Sequence, residues 1–161
     1  MFREMRRKKQ LLSREESIQL LKNGSFGVLA LLGEEGYPYA VPLSYVYHDS
    51  CLYFHGAKTG HKMDAIKGCE KASFCVVSQD TVIPEKYTTC YKSVIVFGKL
   101  HILEGEETLR AIRLLAEKYS PAVEIVEREK EIKKFQNTLC VLELSIQHMS
   151  GKQAKELVKE S

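Results

Sequence analysis

The sequence predicts an α+β fold in which six mostly antiparallel β-strands form a small barrel with helices at its periphery. Short apolar segments separated by turn residues recur along the chain, which is typical of antiparallel strands. Closing such a sheet into a barrel removes exposed strand edges. The 161 residues, 44% apolar and 28% charged, suffice for one hydrophobic core, so we expect a single domain over residues 1–161.

The first elements are a helix and a hairpin. Ser13 and Glu16 have the spacing of a capping box, which predicts a helix that ends near Asn23 and Gly24. The continuous apolar segment 26–32 predicts a buried strand, and residues 33–36 predict a hairpin turn.

A meander is expected next. Residues 37–47 are rich in aromatic and β-branched side chains, which predicts one strand. His48, Asp49 and Ser50 then predict a turn into a strand over residues 51–55.

The second half of the chain alternates between helices and strands. Apolar spacing predicts a short helix over residues 60–68, a longer one over 104–119 and a charged one over 123–135. The expected strands are residues 72–78, 93–103 and 138–146, followed by a mobile tail or a short helix.

Composition and charge exclude several classes of protein. A net charge of +3 is too small to indicate nucleic-acid binding, and the basic first nine residues are expected to be a solvated end. No apolar segment reaches the roughly 18 residues of a membrane span, and the start lacks an apolar signal core, so we expect a cytoplasmic protein without membrane contact. The five cysteines contain no C-x-x-C pair, so we expect free thiols and no metal site.

Pro42 lies inside a predicted strand, although proline donates no hydrogen bond to a sheet. One interpretation is a bulge or interrupted pairing, which leaves backbone groups free to bind a flat heterocycle. The other is an ordinary proline on an edge strand. Pro42 by itself does not decide between the two.

The segment 55–62, HGAKTGHK, has the composition of an anion site. It follows a strand, opens a helix, and combines small residues with Lys58 and Lys62. Small residues let a phosphate approach the backbone, a helix N-terminus offers free amides, and the lysines add full charges, while His61 offers another donor. A basic surface loop is the equally weighted alternative.

Histidines and one polar pair complete the candidates. His55 ends a strand beside this loop, where it could contact a ligand ring, act as an acid, or serve as an axial ligand of a haem. His48, His101 and His148 are expected to be surface or hydrogen-bonded side chains. Tyr91 and Ser93 place polar groups at the start of a strand, where they either meet a ligand or pack on the barrel rim.

Three segments together resemble the pyridoxamine 5′-phosphate oxidase-like split-barrel flavoproteins, and most of all their nitroimidazole-resistance (Nim) branch. The segments are Val41-Pro42-Leu43-Ser44-Tyr45, then residues 52–66 with the pattern LYFHGAxxGxKxDxI, then Tyr91-x-Ser93-Val94-x-x-x-Gly98. The resemblance covers residues 13–146 in order and spacing.

This resemblance implies a homodimer of split barrels with two FMN molecules at the dimer interface. Carried over to this chain, it places Val41, Pro42, Leu43, Ser44 and Tyr45 along the isoalloxazine. It places His55, Gly56 and Ala57 along the ribityl chain, and Lys58, His61 and Lys62 at the phosphate, with Gly60 in the same loop. Tyr91 and Ser93 would lie near the flavin, contributed by the partner chain.

The chain departs from true pyridoxamine phosphate oxidases, because it has no tryptophan and lacks their C-terminal substrate segment. The resemblance therefore implies an FMN-dependent oxidoreductase of the Nim type, in which reduced flavin passes electrons to a small nitroaromatic or quinone-like acceptor. Two alternatives remain open. One is a haem-binding or haem-degrading protein that uses His55, and the other is a non-catalytic flavin-binding module.

Overall fold

A computed structural model describes residues 2–135 and 138–158 of the chain. Its described elements comprise seven strands and four α-helices. The strands are β1 Phe26–Leu32, β2 Pro38–Ser44, β3 Val46–His48, β4 Cys51–Ala57, β5 Lys71–Ile83, β6 Thr88–Ile102 and β7 Leu139–Gln153. The helices are α1 Arg14–Asn23, α2 His61–Gly68, α3 Gly105–Tyr119 and α4 Ile125–Phe135.

The capping box predicted for α1 is confirmed. The backbone N–H of Ser13 donates to Glu16 Oε2 at 2.8 Å, and the N–H of Glu16 donates to Ser13 Oγ at 3.1 Å. Two N–H groups at the helix start are thus satisfied by side chains, which fixes where the helix begins.

The seven strands form one antiparallel sheet in the order β2-β1-β5-β6-β7-β4-β3. Strands β2 and β3 lie at opposite edges of this sheet, yet only Tyr45 separates them in sequence. The sheet must therefore curl until its two edges meet at Tyr45. This arrangement confirms the α+β barrel with peripheral helices.

Two parts of the sequence prediction are wrong. The sheet has seven strands rather than six, because residues 37–47 form two strands instead of one. The meander is also interrupted at Tyr45: β2 pairs with β1 and β3 pairs with β4, as expected for consecutive strands, but the two pairs lie at opposite edges of the sheet. The break falls at Tyr45, whose backbone N–H and C=O bond the side chains of Tyr119 and Lys118 instead of a neighbouring strand.

Pro42 lies on an edge strand. It pairs with Val28 within an uninterrupted register between β1 and β2, so the predicted bulge is wrong and the edge-strand interpretation is correct. Within the described sheet, β2 has a neighbour on one side only. The backbone groups along its other edge have no neighbouring strand to pair with. They are therefore available to a ligand because β2 lies at the edge of the sheet, and not because of a bulge.

Strands β6 and β7 are longer than predicted. The register between them shifts by one residue at Phe97 and Gly98, and β7 continues to Gln153 instead of ending at Ile146. Such a shift breaks the alternation of apolar residues that sequence reasoning follows. The predicted tail contains a short 3₁₀ turn, Lys155–Leu157, while residues 159–161 lie outside the described residues.

The core has two parts. The barrel interior contains Phe54, Phe74 and Tyr45, all fully buried, and α1 and α2 cover it. On the outer side of β4 and β7, Tyr53 and Val141 pack against α3 and α4. The outer face of β1, β5 and β6 stays partly exposed, and its apolar side chains include Phe26, Val28, Val77, Ile95 and Phe97.

Candidate functional site

The candidate anion loop follows β4 directly and opens α2, as the sequence predicts. Gly60 precedes the helix with φ of +112°, a conformation that L side chains rarely adopt. Its carbonyl accepts from the N–H groups of Met63 and Asp64. The loop can therefore turn sharply from the strand into the helix.

Lys62 lies over the backbone of β4 at Gly56. A Cβ atom added to Gly56 would come within 2.5 Å of Lys62 Nζ, so the ammonium group occupies the space that a side chain would fill. Lys62 is half-buried, and Gly56 pairs with Cys140 of β7. The glycine thus allows a full positive charge to lie against the end of β4.

The two lysines of the loop act electrostatically on the thiol of Cys140. Burial raises the pKa of this thiol, while Lys62 and Lys58 act in the opposite direction. Both lysines therefore create a positive potential at the end of β4, which suits a phosphate.

His61 connects this loop to β2. Its imidazole stacks on the ring of Tyr39, with centroids 4.0 Å apart and an angle of 16° between the planes. Because Tyr39 lies on β2, the anion loop and this edge strand are neighbours. Tyr39 is not among the residues predicted from the sequence, although it lies two residues before Val41 and so faces the same side of the strand.

The five residues predicted along the isoalloxazine divide into three groups. Val41 and Leu43 are half-buried, whereas Pro42 and Ser44 are exposed. Tyr45 is fully buried, and its hydroxyl donates to the carbonyl oxygen of Leu21 at 2.7 Å. Its side chain therefore belongs to the core, and only the backbone of this residue is near the free edge.

His55 and Ala57 lie on the opposite face of β4 from Gly56, because successive side chains of a strand alternate. Both are exposed. His55 pairs with Val141 of β7 in the sheet register. An exposed imidazole at this position is accessible to a ligand.

Tyr91 and Ser93 are separate from these residues within one chain. Both lie on β6 and are half-buried. In the sheet order, β1 and β5 separate β6 from β2, and β7 separates it from β4. The fold therefore brings together β2 and the anion loop, but not Tyr91 and Ser93.

A cavity of about 600 Å³ opens beside the anion loop, between α2 and the start of α3. Its lining shares only Lys58 with the residues predicted from the sequence. Apolar side chains, among them Met63, Leu109 and Leu139, form much of its wall. The cavity is thus a neighbour of the candidate site rather than the site itself.

Among the described residues, no group of three or more His, Cys, Asp or Glu side chains could hold a metal ion, and all five cysteines are free thiols. Within the same residues, the helices are too short or too polar to cross a bilayer. His48 lies 3.1 Å from a carboxylate oxygen of Asp49, and His148 stacks on Phe2.

A curled antiparallel sheet with peripheral helices and a basic loop at one strand end defines the class of split-barrel proteins. A family model described as pyridoxamine 5′-phosphate oxidase matches residues 13–153. The chain belongs to this family. No curated protein matches the sequence.

Solved structures share the fold at low sequence identity. A candidate 5-nitroimidazole antibiotic resistance protein from Bacteroides thetaiotaomicron is 17% identical, with a TM-score of 0.76 over 89% of this chain and 86% of that one. A conserved hypothetical protein from Mycobacterium tuberculosis is 17% identical, with a TM-score of 0.82 over 98% and 95%. An FAD- and haem-binding protein from Mycobacterium smegmatis is 21% identical, with a TM-score of 0.76 over 95% and 77%. The family model thus confirms the resemblance to the pyridoxamine 5′-phosphate oxidase-like family, and the solved structures share its fold.

Proposed function

We propose that this protein is an FMN-dependent oxidoreductase of the Nim type, which passes electrons from reduced flavin to a small nitroaromatic or quinone-like acceptor. The observation that carries the proposal is the position of Lys62 over Gly56, in a loop whose His61 stacks on Tyr39 of the edge strand β2. A positive site for a phosphate and an edge of backbone groups for a flat ring thus adjoin each other, as a flavin mononucleotide requires.

The residues of the chain fit this cofactor. Lys62, Lys58 and His61 would hold the phosphate, and the backbone of residues 41–44 would lie along the ring system, since the backbone groups of Tyr45 already have partners. Bound flavin would supply the electron-transfer chemistry, since no side chain of the protein needs to act as a nucleophile. The protein would bind the cofactor, orient it and leave one face open to the acceptor.

We also propose that the protein acts as a homodimer, with Tyr91 and Ser93 contributed to the partner's site. The outer face of β1, β5 and β6 exposes Phe26, Val28 and Ile95, and such apolar faces usually pack against another surface. Ser93 lies on this same face, because it pairs with Val77 and lies two residues before Ile95 along β6. Dimerisation through this face would therefore bury Ser93 against a second chain.

A haem protein is the second candidate, favoured by the exposed imidazole of His55 at the end of β4. The Mycobacterium smegmatis protein of the same fold binds both FAD and haem. Loss of a haem spectrum in His55→Ala would support this candidate.

A flavin-binding module without catalysis is the third candidate. Bound FMN that no nicotinamide donor reduces would support it. The cytoplasmic location remains a prediction.

Titration of the apoprotein with FMN tests the proposal, with quenching of flavin fluorescence as the signal. We expect saturable binding, with one FMN per chain, followed by reduction with NADH or NADPH and reoxidation by nitroaromatic or quinone acceptors. Absence of saturable binding would contradict the cofactor. Binding without acceptor-dependent reoxidation would contradict the oxidoreductase.

A further inference from the structure

The last turn of α3 binds the backbone at the junction between β2 and β3. Lys118 Nζ donates to the carbonyl oxygen of Tyr45 at 2.9 Å and also to that of Gly24. The same ammonium group lies 4.2 Å from the centre of the Tyr45 ring. One lysine thus links α3 to the connection between α1 and β1 and to the end of β2.

Tyr119 adds a second set of bonds to the same residue. Its hydroxyl accepts from the N–H of Tyr45 at 2.9 Å and lies 2.7 Å from the carbonyl oxygen of Tyr45. It also contacts the carbonyl oxygen of Ser25. Because Tyr45 belongs to neither strand, α3 supplies the partners that a sheet would otherwise provide.

The position of Lys118 carries an energetic cost. Burial lowers its pKa to about 8, and no salt bridge among residues 2–135 and 138–158 includes it. A partly buried cation without a carboxylate partner is unfavourable unless its hydrogen bonds compensate. Here the compensation comes from two carbonyl groups at the point where the barrel edges meet.

We infer that Lys118 and Tyr119 are positioning residues that fix the free edge of β2 for the flavin. The inference rests on the proposed function, because the free edge is the proposed contact of the ring. The hairpin turn after β1 holds the first end of β2, and Tyr45 holds the other end. Loss of the bonds at Tyr45 would let residues 41–44 shift.

The test compares FMN binding to Tyr119→Phe, Lys118→Met and Lys118→Arg. Tyr119→Phe removes the hydroxyl bonds to Tyr45, and Lys118→Met removes the ammonium bond to the Tyr45 carbonyl. We expect each variant to raise the FMN Kd about five- to ten-fold. Lys118→Arg keeps the charge and the donors, so we expect it to restore most of the affinity. Hydrogen exchange should accelerate at Tyr45 and in β2 more than in the other strands.

Ile132→Val is the matched control. Ile132 is a residue of α4, buried in the apolar cluster that α4 shares with α3, and it is not among the partners of Tyr45. Ile132→Val therefore loosens the packing of these two helices without removing a hydrogen bond at Tyr45. We expect lower thermal stability with an unchanged FMN Kd. Equal FMN Kd values for wild type, Tyr119→Phe and Lys118→Met would overturn this inference but not the proposed function. The same would follow if Ile132→Val lost as much FMN affinity as these two variants. A wild type that binds no FMN would overturn the proposed function, and the inference with it.

Discussion

At the scale of single residues, the contact between Gly56 and the ammonium group of Lys62 is the most specific feature of the site. The glycine has no Cβ where the ammonium group lies, and the lysine places its charge against the end of a strand. A phosphate bound there would form charge-assisted hydrogen bonds, which are about twice as strong as neutral ones.

Removal of this charge should weaken cofactor binding. We expect Lys62→Ala to raise the FMN Kd about 10- to 100-fold, because a hydrogen bond to a charged group contributes roughly 1.5–3 kcal/mol. Fluorescence titration measures the change. Lys67→Ala is the control, since Lys67 lies on the same helix, is exposed and pairs with Asp64. Unchanged affinity in Lys62→Ala would reject the phosphate assignment.

Gly56→Ala tests the same contact from the strand. The added methyl group would displace Lys62 Nζ, which is the far end of a flexible side chain, so the fold should tolerate it. We therefore expect weaker FMN binding with a thermal midpoint close to that of wild type. Gly68→Ala is a suitable control, because no atom lies within 4 Å of its added Cβ. Wild-type affinity in Gly56→Ala would show that the ammonium position is unimportant.

Lys118 should give the protein a distinctive pH dependence. Its pKa falls from 10.5 in the unfolded chain to about 8 in the folded protein, because of burial. Between these values the unfolded chain binds more protons, so the contribution of Lys118 to stability rises with pH and is lost as pH falls through 8. Below pH 8 both states carry the charge, and the contribution is constant.

The measurement is the difference in unfolding free energy between wild type and Lys118→Met from pH 7 to 10. We expect this difference to shift in favour of wild type above pH 8. The thiols of Cys51, Cys75 and Cys140 have raised pKa values and oppose the trend above pH 9, but they are present in both proteins and cancel. Parallel curves would contradict the assignment.

At the scale of elements, β2 and α2 form the site together through the stacked rings of Tyr39 and His61. We expect Tyr39→Ala to raise the FMN Kd about three- to ten-fold, because an aromatic pair contributes roughly 0.5–1.5 kcal/mol. Tyr39→Phe keeps the ring and should bind FMN as wild type does. A similar loss in both variants would indicate that the hydroxyl, rather than the stacking, matters.

The sequence predicts most elements correctly, for local reasons. The capping box of Ser13 and Glu16, the apolar segment 26–32 and the small residues before α2 are signals contained within a few residues. The break at Tyr45 has no such signal, because its backbone groups bond side chains that are distant in the sequence. For the same reason, the contacts of Lys118 and Tyr119 with Tyr45, more than 70 residues away, could not be predicted.

At the scale of the whole molecule, the strand order separates β6 from the rest of the candidate site. A homodimer through the outer face of β1, β5 and β6 would bring Tyr91 and Ser93 to the partner's flavin. We expect Ile95→Glu to dissociate the dimer and to weaken FMN binding, measured by light scattering and titration. Val126→Glu, on exposed α4, should change neither. A wild-type monomer that binds FMN would contradict the proposed assembly.

The visible absorption spectrum of the freshly purified protein, followed by mass spectrometry of the released chromophore, identifies the cofactor. We expect a two-banded flavin spectrum and release of FMN. A Soret band would instead favour haem at His55. A colourless protein that also fails to bind added FMN would contradict the proposal that this protein is a flavoenzyme.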